Sequence, residues 1–180
     1  MKTKLFAAIA ATVVLGVPVA GQENPANAPK FIKFAKAPGL EVRYLDFKWD
    51  EEAFRAVEKG GSHPAAQRSW VLARLLLQQE PLFWNTQILP VGPTILVLNP
   101  RKGTEGPTLE LRYIDMREVF VDMNVIAEPP PGRTYRKEPA VFQTVPEVAS
   151  RLEVSVAEKG QGYELLIHYG NRQAALTLTR

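Results

Sequence analysis

The sequence predicts a mainly β protein, folded as an antiparallel β-sandwich or a partly open barrel of about eight or nine strands with one or two short helices. Two observations predict this class. From residue 82 onward, short apolar runs recur about every ten residues, and clusters of glycine or proline separate them. No period of about 20 to 50 residues repeats, which argues against a solenoid.

The N-terminus has the pattern of a bacterial secretory signal peptide. Lys2 and Lys4 precede an uncharged apolar run, Leu5–Ala20, which ends in small residues. The run is shorter than the roughly 20 residues that a membrane-spanning helix needs. We therefore expect cleavage near Gly21, a periplasmic or extracellular location, and no transmembrane span in the processed chain.

The rest of the chain is expected to form a flexible leader and one domain. Residues 22–38 contain several prolines and amide side chains, which are typical of a mobile segment. Within them, Phe31, Ile32 and Phe34 would also suit an edge strand docked on the domain. Residues 39–180 have the length of a single domain.

Charge and cysteine content exclude several classes of protein. The formal net charge is +3 and falls to +1 without Lys2 and Lys4, so the chain has no basic excess for binding nucleic acid. There is no cysteine, and the processed domain can therefore have neither a disulfide nor a lipidated cysteine. The apolar core alone must stabilise the fold, and a bacterial source is expected.

The domain is predicted to begin with a strand and a short helix. Apolar and charged residues alternate over Leu40–Tyr44, and the alternation then changes phase, which predicts a bulge near Tyr44. Asp50 is a good helix N-cap, two glutamates follow it, and Gly60 is a typical stop.

The segment from residue 64 to 80 fits two structures. It is rich in strong helix formers, Ser62 could cap it and Pro81 would end it, so we favour a helix. The alternation of Val71, Ala73 and Leu75 also fits one face of a strand, which remains the alternative.

The remaining chain is predicted to be β. Turns are expected at Gly160–Gly162 and, as a tight hairpin, at Gly170–Asn171. A loop with Gly103 and Gly106 should join two strands into a hairpin. The predicted strands are Thr94–Leu98, Leu109–Tyr113, Val119–Val121, Val125–Ile126, Phe142–Val145, Leu152–Val156, Tyr163–Tyr169 and Ala174–Leu178.

The residues that usually carry chemistry are scarce. The only histidines are His63 in a predicted turn and His168 in a predicted strand. There is no Gly-x-Ser-x-Gly elbow, no H-E-x-x-H zinc motif and no nucleotide-binding glycine pattern. We expect no catalytic triad, no metal site and no cofactor.

Two groups of residues are candidates for function. Trp49 and Trp84 lie near predicted element ends, where rings can serve as stacking platforms, although core packing is the simpler role. The proline-rich loop from residue 128 to 139 carries Arg133, Tyr135 and Arg136, which could contact a partner.

A resemblance adds to this interpretation. Trp70 and Arg74, followed by Leu89-Pro90-Val91-Gly92 and the strand Val97–Asn99, resemble a bacterial exported β-sandwich family of unknown function. That family has a Trp-Arg pair followed by Leu-Pro-Ala-Gly. The resemblance spans about residues 68–179, implies a strand over Trp70–Leu77, and brings no known activity or site residues.

The sequence therefore predicts an exported protein that binds an envelope protein or glycan without converting it. One alternative is a carbohydrate-active hydrolase that uses Asp115, Glu118 and Asp122, because paired carboxylates can hydrolyse glycosides. The other alternative is a structural or assembly subunit of an envelope complex.

Overall fold

The computed structural model describes residues 31–113 and 134–180. The predicted signal peptide, residues 22–30 of the predicted leader, and the predicted strands Val119–Val121 and Val125–Ile126 lie outside these ranges. The described elements, in chain order, are β1 (Phe31–Ala37), β2 (Leu40–Leu45), α1 (Glu51–Lys59), α2 (Pro64–Gln67), β3 (Trp70–Leu77), β4 (Leu82–Trp84), β5 (Gln87–Leu89), β6 (Gly92–Asn99), β7 (Thr108–Tyr113), β8 (Thr134–Pro139), β9 (Gln143–Lys159) and β10 (Gly162–Thr179).

The strands form two antiparallel sheets packed face to face. The six-stranded sheet has the order β1-β2-β3-β6-β7-β8, and the four-stranded sheet has the order β5-β4-β10-β9. Leucines from β3 and β6 meet Leu165, Ile167 and Leu176 of β10 in one apolar core. Burial of these side chains is the main stabilising contribution, because the described chain contains no crosslink. The predicted antiparallel β-sandwich is confirmed.

The first strand lies within the segment predicted to be a flexible leader. Residues 31–37 form β1, the edge strand of the six-stranded sheet, and pair with β2 from Phe31 opposite Leu45 to Ala37 opposite Leu40. The register shifts between Phe31 and Lys33, beside Tyr44, where the sequence indicated a bulge. The edge-strand alternative therefore describes these residues, and the domain includes them.

The helix favoured for residues 64–80 is wrong over most of its length. Only Pro64–Gln67 are helical, and Trp70–Leu77 form β3, a central strand between β2 and β6. Strand β6 pairs with β3 from Trp70 to Leu77, and β2 pairs with it from Ala73 to Leu77. The Val71–Ala73 and Leu75 side chains are buried. Tertiary pairing overrides the helix propensity of this segment.

The predicted tight hairpin at Gly170–Asn171 is also wrong. β10 runs without interruption from Gly162 to Thr179, and its pairing with β9 shows register shifts on both sides of Gly170. Gly170 has a φ of +60°, which glycine adopts readily, and it introduces an irregularity instead of a chain reversal. The predicted turn at Gly160–Gly162 is confirmed as the connection between β9 and β10.

The helix predicted after Asp50 is confirmed. The Asp50 Oδ1 atom accepts a hydrogen bond from the Ala53 N–H at 2.9 Å, and Gly60 ends the helix with its N–H bonded to the Ala56 carbonyl. Phe54 and Val57 turn inward and close one end of the sandwich. Within the described residues, no helix combines the length and the apolar character needed to cross a membrane.

A substitution at Gly170 tests how tightly α1 and the segment before it pack on β10. A Cβ atom at this position would lie 2.1 Å from ring atoms of Trp49, whereas a Cβ atom at Gly160, which has the same φ of +60°, would meet nothing within 4 Å. We expect Gly170→Ala to lower the free energy of unfolding by about 3 kcal/mol or more, and Gly160→Ala by about 1 kcal/mol. Urea denaturation measures both. Equal losses would contradict the packing of Trp49 against the Gly170 backbone.

Candidate functional site

Trp49 belongs to an aromatic cluster at one end of the core. Its ring centroid lies 4.8 Å from that of Tyr169 and 5.6 Å from that of Phe54, and Phe54 lies 5.0 Å from Phe142. The space left between this cluster and its neighbours is about 10 Å³ and is lined by apolar side chains. This space is too small for a ligand. The Trp49 ring packs against the core and against Gly170, so the geometry gives it a packing role.

The other residues proposed for binding are divided between the core and the sheet edge. Trp84 is only 3% exposed and packs in the core, so its ring is not a surface platform. Residues 134–139 form β8 instead of the expected loop, and within it the Arg136 Nε atom donates to Glu138 Oε1 at 2.7 Å. Arg133 and the side chain of Tyr135 lie outside the described residues.

The two histidines lie on different elements. His63 is the N-cap of α2, where its Nδ1 accepts a hydrogen bond from the Ala65 N–H at 3.1 Å. His168 lies on β10, with its Nε2 atom 3.3 Å from the Glu147 carbonyl oxygen. Among the residues described, no three histidine or acidic side chains are grouped so that they could hold a metal ion.

A polar cleft of about 250 Å³ opens where β6 and β7 are joined. It lies on the face of the six-stranded sheet that points away from the four-stranded sheet. The cross-strand register places Asn99 opposite Thr108 and Glu110 opposite Lys137 on this face. The cleft is lined by Ser69, Asn99, Pro100, Lys102, Glu105, Gly106, Thr108, Glu110, Arg112 and Lys137.

A chain of hydrogen bonds fixes the floor of this cleft. The Ser69 hydroxyl donates to Asn99 Oδ1 at 2.6 Å, and the Asn99 amide donates to Glu110 Oε2 at 3.0 Å. The Arg112 Nε atom donates to Glu110 Oε1 at 2.9 Å. Glu110 is only 4% exposed, so its charge would be costly without these donors. Both of its oxygens are hydrogen-bonded.

Two lysines at the rim are available to a ligand. Lys102 lies in the loop between β6 and β7, where its backbone N–H and C=O bond the Glu105 backbone at 3.1 and 3.0 Å. Lys137 projects from β8 beside Glu110. Within the described part of the chain, neither ammonium group has an ion-pair partner within 4.0 Å. The cleft therefore combines a fixed floor with two unneutralised positive charges.

The same sheet face is basic beyond the cleft. Arg43 lies opposite Arg74, Arg74 opposite Ile95, and Ile95 opposite Arg112, so three guanidinium groups occupy one cross-strand row. Burial lowers the pKa of Arg74, and the positive charge of Arg43 lowers it further. Glu41, which bonds Arg43 Nε at 2.6 Å, offsets part of this charge. Glu110 likewise pairs with Arg112, so the charge of this row is partly neutralised.

A second groove of about 380 Å³ lies between β1 and β9. Lys33 and Tyr44 line one side, and Arg151, Glu153 and His168 line the other. Arg151 is already paired with Asp46 Oδ2 at 2.6 Å. The second groove contains no buried charged group held by several donors, so the polar cleft is the better candidate for a built site.

The sequence did not identify the cleft, because its residues resemble an ordinary solvated strand face. Glu110 and Arg112 alternate with apolar residues, which predicts the hairpin but not the burial of Glu110. The available signal was the predicted hairpin itself: its register brings Asn99 and Thr108 beside Glu110. The acids proposed for the hydrolase, Asp115, Glu118 and Asp122, lie outside the described residues.

Tyr169 gives the aromatic cluster a measurable pH dependence. Burial raises the pKa of Tyr169 to about 12, above its ordinary value of about 10. Below about pH 10 the hydroxyl is protonated in both folded and unfolded chains, so its contribution is fully present. As the pH rises from about 10 to 12, the unfolded chain loses the proton first and stability falls, by an amount on the order of 2 kcal/mol.

We expect this alkaline loss of stability to be smaller in Tyr169→Phe. Urea unfolding at several pH values between about 9 and 12 measures it for both proteins. The variant also loses the hydrogen bond from the Tyr169 hydroxyl to the Lys48 carbonyl, so we expect it to be less stable than the wild-type protein below about pH 10. Parallel pH profiles would contradict the burial of this hydroxyl.

The hydrogen bonds at the floor of the cleft predict that substitutions of two nearby glutamates lower the free energy of unfolding by different amounts. Glu110→Ala removes the acceptor that both Asn99 and Arg112 use, and we expect a loss of about 3 kcal/mol in the free energy of unfolding. Glu105→Ala, an exposed change in the same cleft, should alter stability by less than about 0.5 kcal/mol. Chemical denaturation compares them. Similar small effects at both positions would mean that the Glu110 network is not formed.

Comparisons of this chain with known proteins found no match. No family model matches the chain, and neither a curated protein nor a solved structure matches it. The resemblance to an exported β-sandwich family therefore stays an expectation from the sequence.

Proposed function

We propose that this chain is a non-catalytic binding protein of the bacterial cell envelope, and that the polar cleft between β6, β7 and β8 holds its ligand. The observation that carries the proposal is the buried carboxylate of Glu110, held by Asn99 and Arg112 at the floor of an open cleft. Burying charged groups costs free energy unless their hydrogen-bonding atoms have partners. A network in which these atoms are paired holds its side chains in fixed positions.

The polar side chains in the cleft are hydrogen-bonded to one another, which favours a binding role over catalysis. A general base must reach a proton of the substrate, but both Glu110 oxygens already accept hydrogen bonds from Asn99 and Arg112. A nucleophilic serine needs an adjacent base, but Ser69 donates its hydroxyl to the amide oxygen of Asn99. These groups are arranged to hold one another and to present a polar surface.

The charges at the rim indicate the chemistry of the ligand. Lys102 and Lys137 offer ammonium groups, and Arg112 is held in a fixed position by Glu110. Charge-assisted hydrogen bonds to a carboxylate or phosphate are stronger than bonds between neutral groups. The Glu105 carboxylate is an opposing charge at the rim, so a ligand that combines carboxylates with several uncharged hydroxyl or amide groups suits the cleft best.

The N-terminal sequence supports the proposed location. Its two lysines, apolar run and small residues fit export from the cytoplasm, where envelope glycans and peptides would be the available ligands. Peptidoglycan fragments have the required chemistry, because they carry carboxylates on a backbone of hydroxyl and acetamido groups. Chitooligosaccharides share the acetamido sugars and lack the carboxylates, which makes them a matched neutral probe.

We expect the purified protein to bind peptidoglycan fragments and to bind chitooligosaccharides much more weakly. The Lys102→Gln/Lys137→Gln double variant should lose about tenfold or more in affinity for the acidic fragments, because two charged donors are removed. Lys33→Gln, in the second groove, is the matched control and should leave the affinity unchanged. Isothermal titration calorimetry measures all three proteins.

Three results would contradict the proposal. Saturable hydrolysis of the fragments would show an enzyme. Binding that depends on Lys33 and not on Lys102 and Lys137 would move the site to the second groove. Equal affinity for the acidic and the neutral probes would show that the lysines do not bind the carboxylates of the ligand.

A further inference from the structure

The two acidic side chains among the described residues that line the polar cleft, Glu105 and Glu110, are in different states. Both oxygens of Glu110 accept hydrogen bonds, from the Asn99 amide at 3.0 Å and from Arg112 Nε at 2.9 Å. The Glu105 side chain is exposed, and its carboxylate has neither a hydrogen bond nor an ion pair within the described part of the chain. Its charge is therefore available to a ligand.

Glu105 lies directly opposite Lys102 in a tight turn. The Lys102 N–H donates to the Glu105 carbonyl at 3.1 Å, and the Glu105 N–H donates to the Lys102 carbonyl at 3.0 Å. These bonds close a two-residue turn at Gly103–Thr104, in which Gly103 has the positive φ of +58° that such turns require. Side chains of a directly opposed antiparallel pair project from the same face, with Cβ atoms about 5 Å apart. The turn therefore places an ammonium group and a carboxylate side by side at the cleft.

The loop that carries this turn is anchored to the rest of the fold on both sides. Before the turn, the Arg101 N–H donates to the Val57 carbonyl of α1 at 2.9 Å, and Arg101 Nε donates to the Gly103 carbonyl at 3.2 Å. After the turn, the Pro107 carbonyl accepts a hydrogen bond from the Ala140 N–H at 2.8 Å. Because the backbone of the turn is held in place, less entropy is lost when its side chains bind a ligand.

The charges of the cleft suit a ligand that carries both signs. Lys102 and Lys137 attract carboxylates, whereas Glu105 repels them. A protonated amine would donate a charge-assisted hydrogen bond to Glu105, which a hydroxyl or amide group cannot match. Lys102 and Glu105 are not within ion-pair distance of each other, and an exposed pair of this kind contributes little to stability. A ligand can therefore bind both side chains without breaking a strong interaction.

We propose that Glu105 is a specificity-determining residue that selects a ligand with a free primary amine. This inference rests on the proposed function, because it assigns a further group of the same ligand. The Glu105 carboxylate accepts a hydrogen bond from the amine, while Lys102 and Lys137 donate to the carboxylates. Among peptidoglycan fragments, this class is a stem peptide whose diamino acid has an unlinked side-chain amine. Cross-linking converts that amine into an uncharged amide, so the cleft favours uncross-linked stem peptides.

Two forms of one fragment test this selection. The first is a disaccharide-tripeptide whose third residue is lysine, and the second is the same fragment acetylated on the lysine amine. The sugar blocks the N-terminus of the peptide, so the two probes differ only at the side-chain amine. Isothermal titration calorimetry at low ionic strength measures both affinities. We expect the wild-type protein to bind the free amine about three- to fivefold more tightly than the acetylated form.

Three variants assign this preference to one carboxylate. Glu105→Gln should bind both probes with equal affinity, because its amide has no charge. Glu105→Asp keeps the charge and should keep most of the preference. Glu158→Gln, an exposed change on β9 outside the cleft, is the matched control and should behave as the wild-type protein does.

The outcomes separate this inference from the proposed function. If neither probe binds, or if the Lys102→Gln/Lys137→Gln variant binds as tightly as the wild-type protein, both are overturned. If the wild-type protein binds the acetylated probe as tightly as the free amine or more tightly, and the binding depends on the two lysines, only the selection of an amine is overturned. A preference for the amine that persists in Glu105→Gln also overturns it, because another group would then bind the amine.

Discussion

The fold depends on close apolar contact between the two sheets, and the packing of Trp49 on Gly170 extends this contact to the segment before α1. A glycine in the middle of the long strand β10 leaves room for the indole ring, and the ring in turn contacts Tyr169 and Phe54. This contact anchors the segment between β2 and α1 on the four-stranded sheet. Without disulfides, such packing has to supply the stability that crosslinks give to many exported domains.

The core and the polar cleft are stabilised in different ways: the core by apolar packing, and the cleft by hydrogen bonds to a buried charge. The aromatic cluster excludes water and leaves almost no free volume, which suits packing and prevents ligand entry. On the opposite face of the six-stranded sheet, Glu110 is buried as a charge and is stabilised by fixed donors. Because β6 and β7 are rigid through their contact with the core, the groups that hold Glu110 are positioned before any ligand arrives. Such preorganisation lowers the entropy that binding costs.

The sequence predicted the elements that depend on residues close together in the chain. The Asp50 cap, the Gly60 stop and the β6–β7 hairpin depend on neighbouring residues, and the structure has them. Strand β3 could not be predicted with certainty, because Leu75 and its neighbours suit either structure until β2 and β6 provide partners. The contact of Gly170 with Trp49 joins residues that are distant in the chain, and sequence periodicity carries no information about such a pair. The Glu110 network lies within the predicted β6–β7 hairpin, but the alternation of residues does not show that Glu110 is buried.

In the protein without ligand, the floor of the cleft is already held in place by its hydrogen bonds. The Nε–H group of Arg112 reports on it directly, because it donates to Glu110. In a nitrogen-15 relaxation measurement on the ligand-free protein, we predict that this group has an order parameter of about 0.85, the value typical of a rigid backbone. We also predict that its hydrogen exchanges slowly with solvent. An order parameter below about 0.6 with rapid hydrogen exchange would contradict the account, because the arginine would then be a mobile surface side chain.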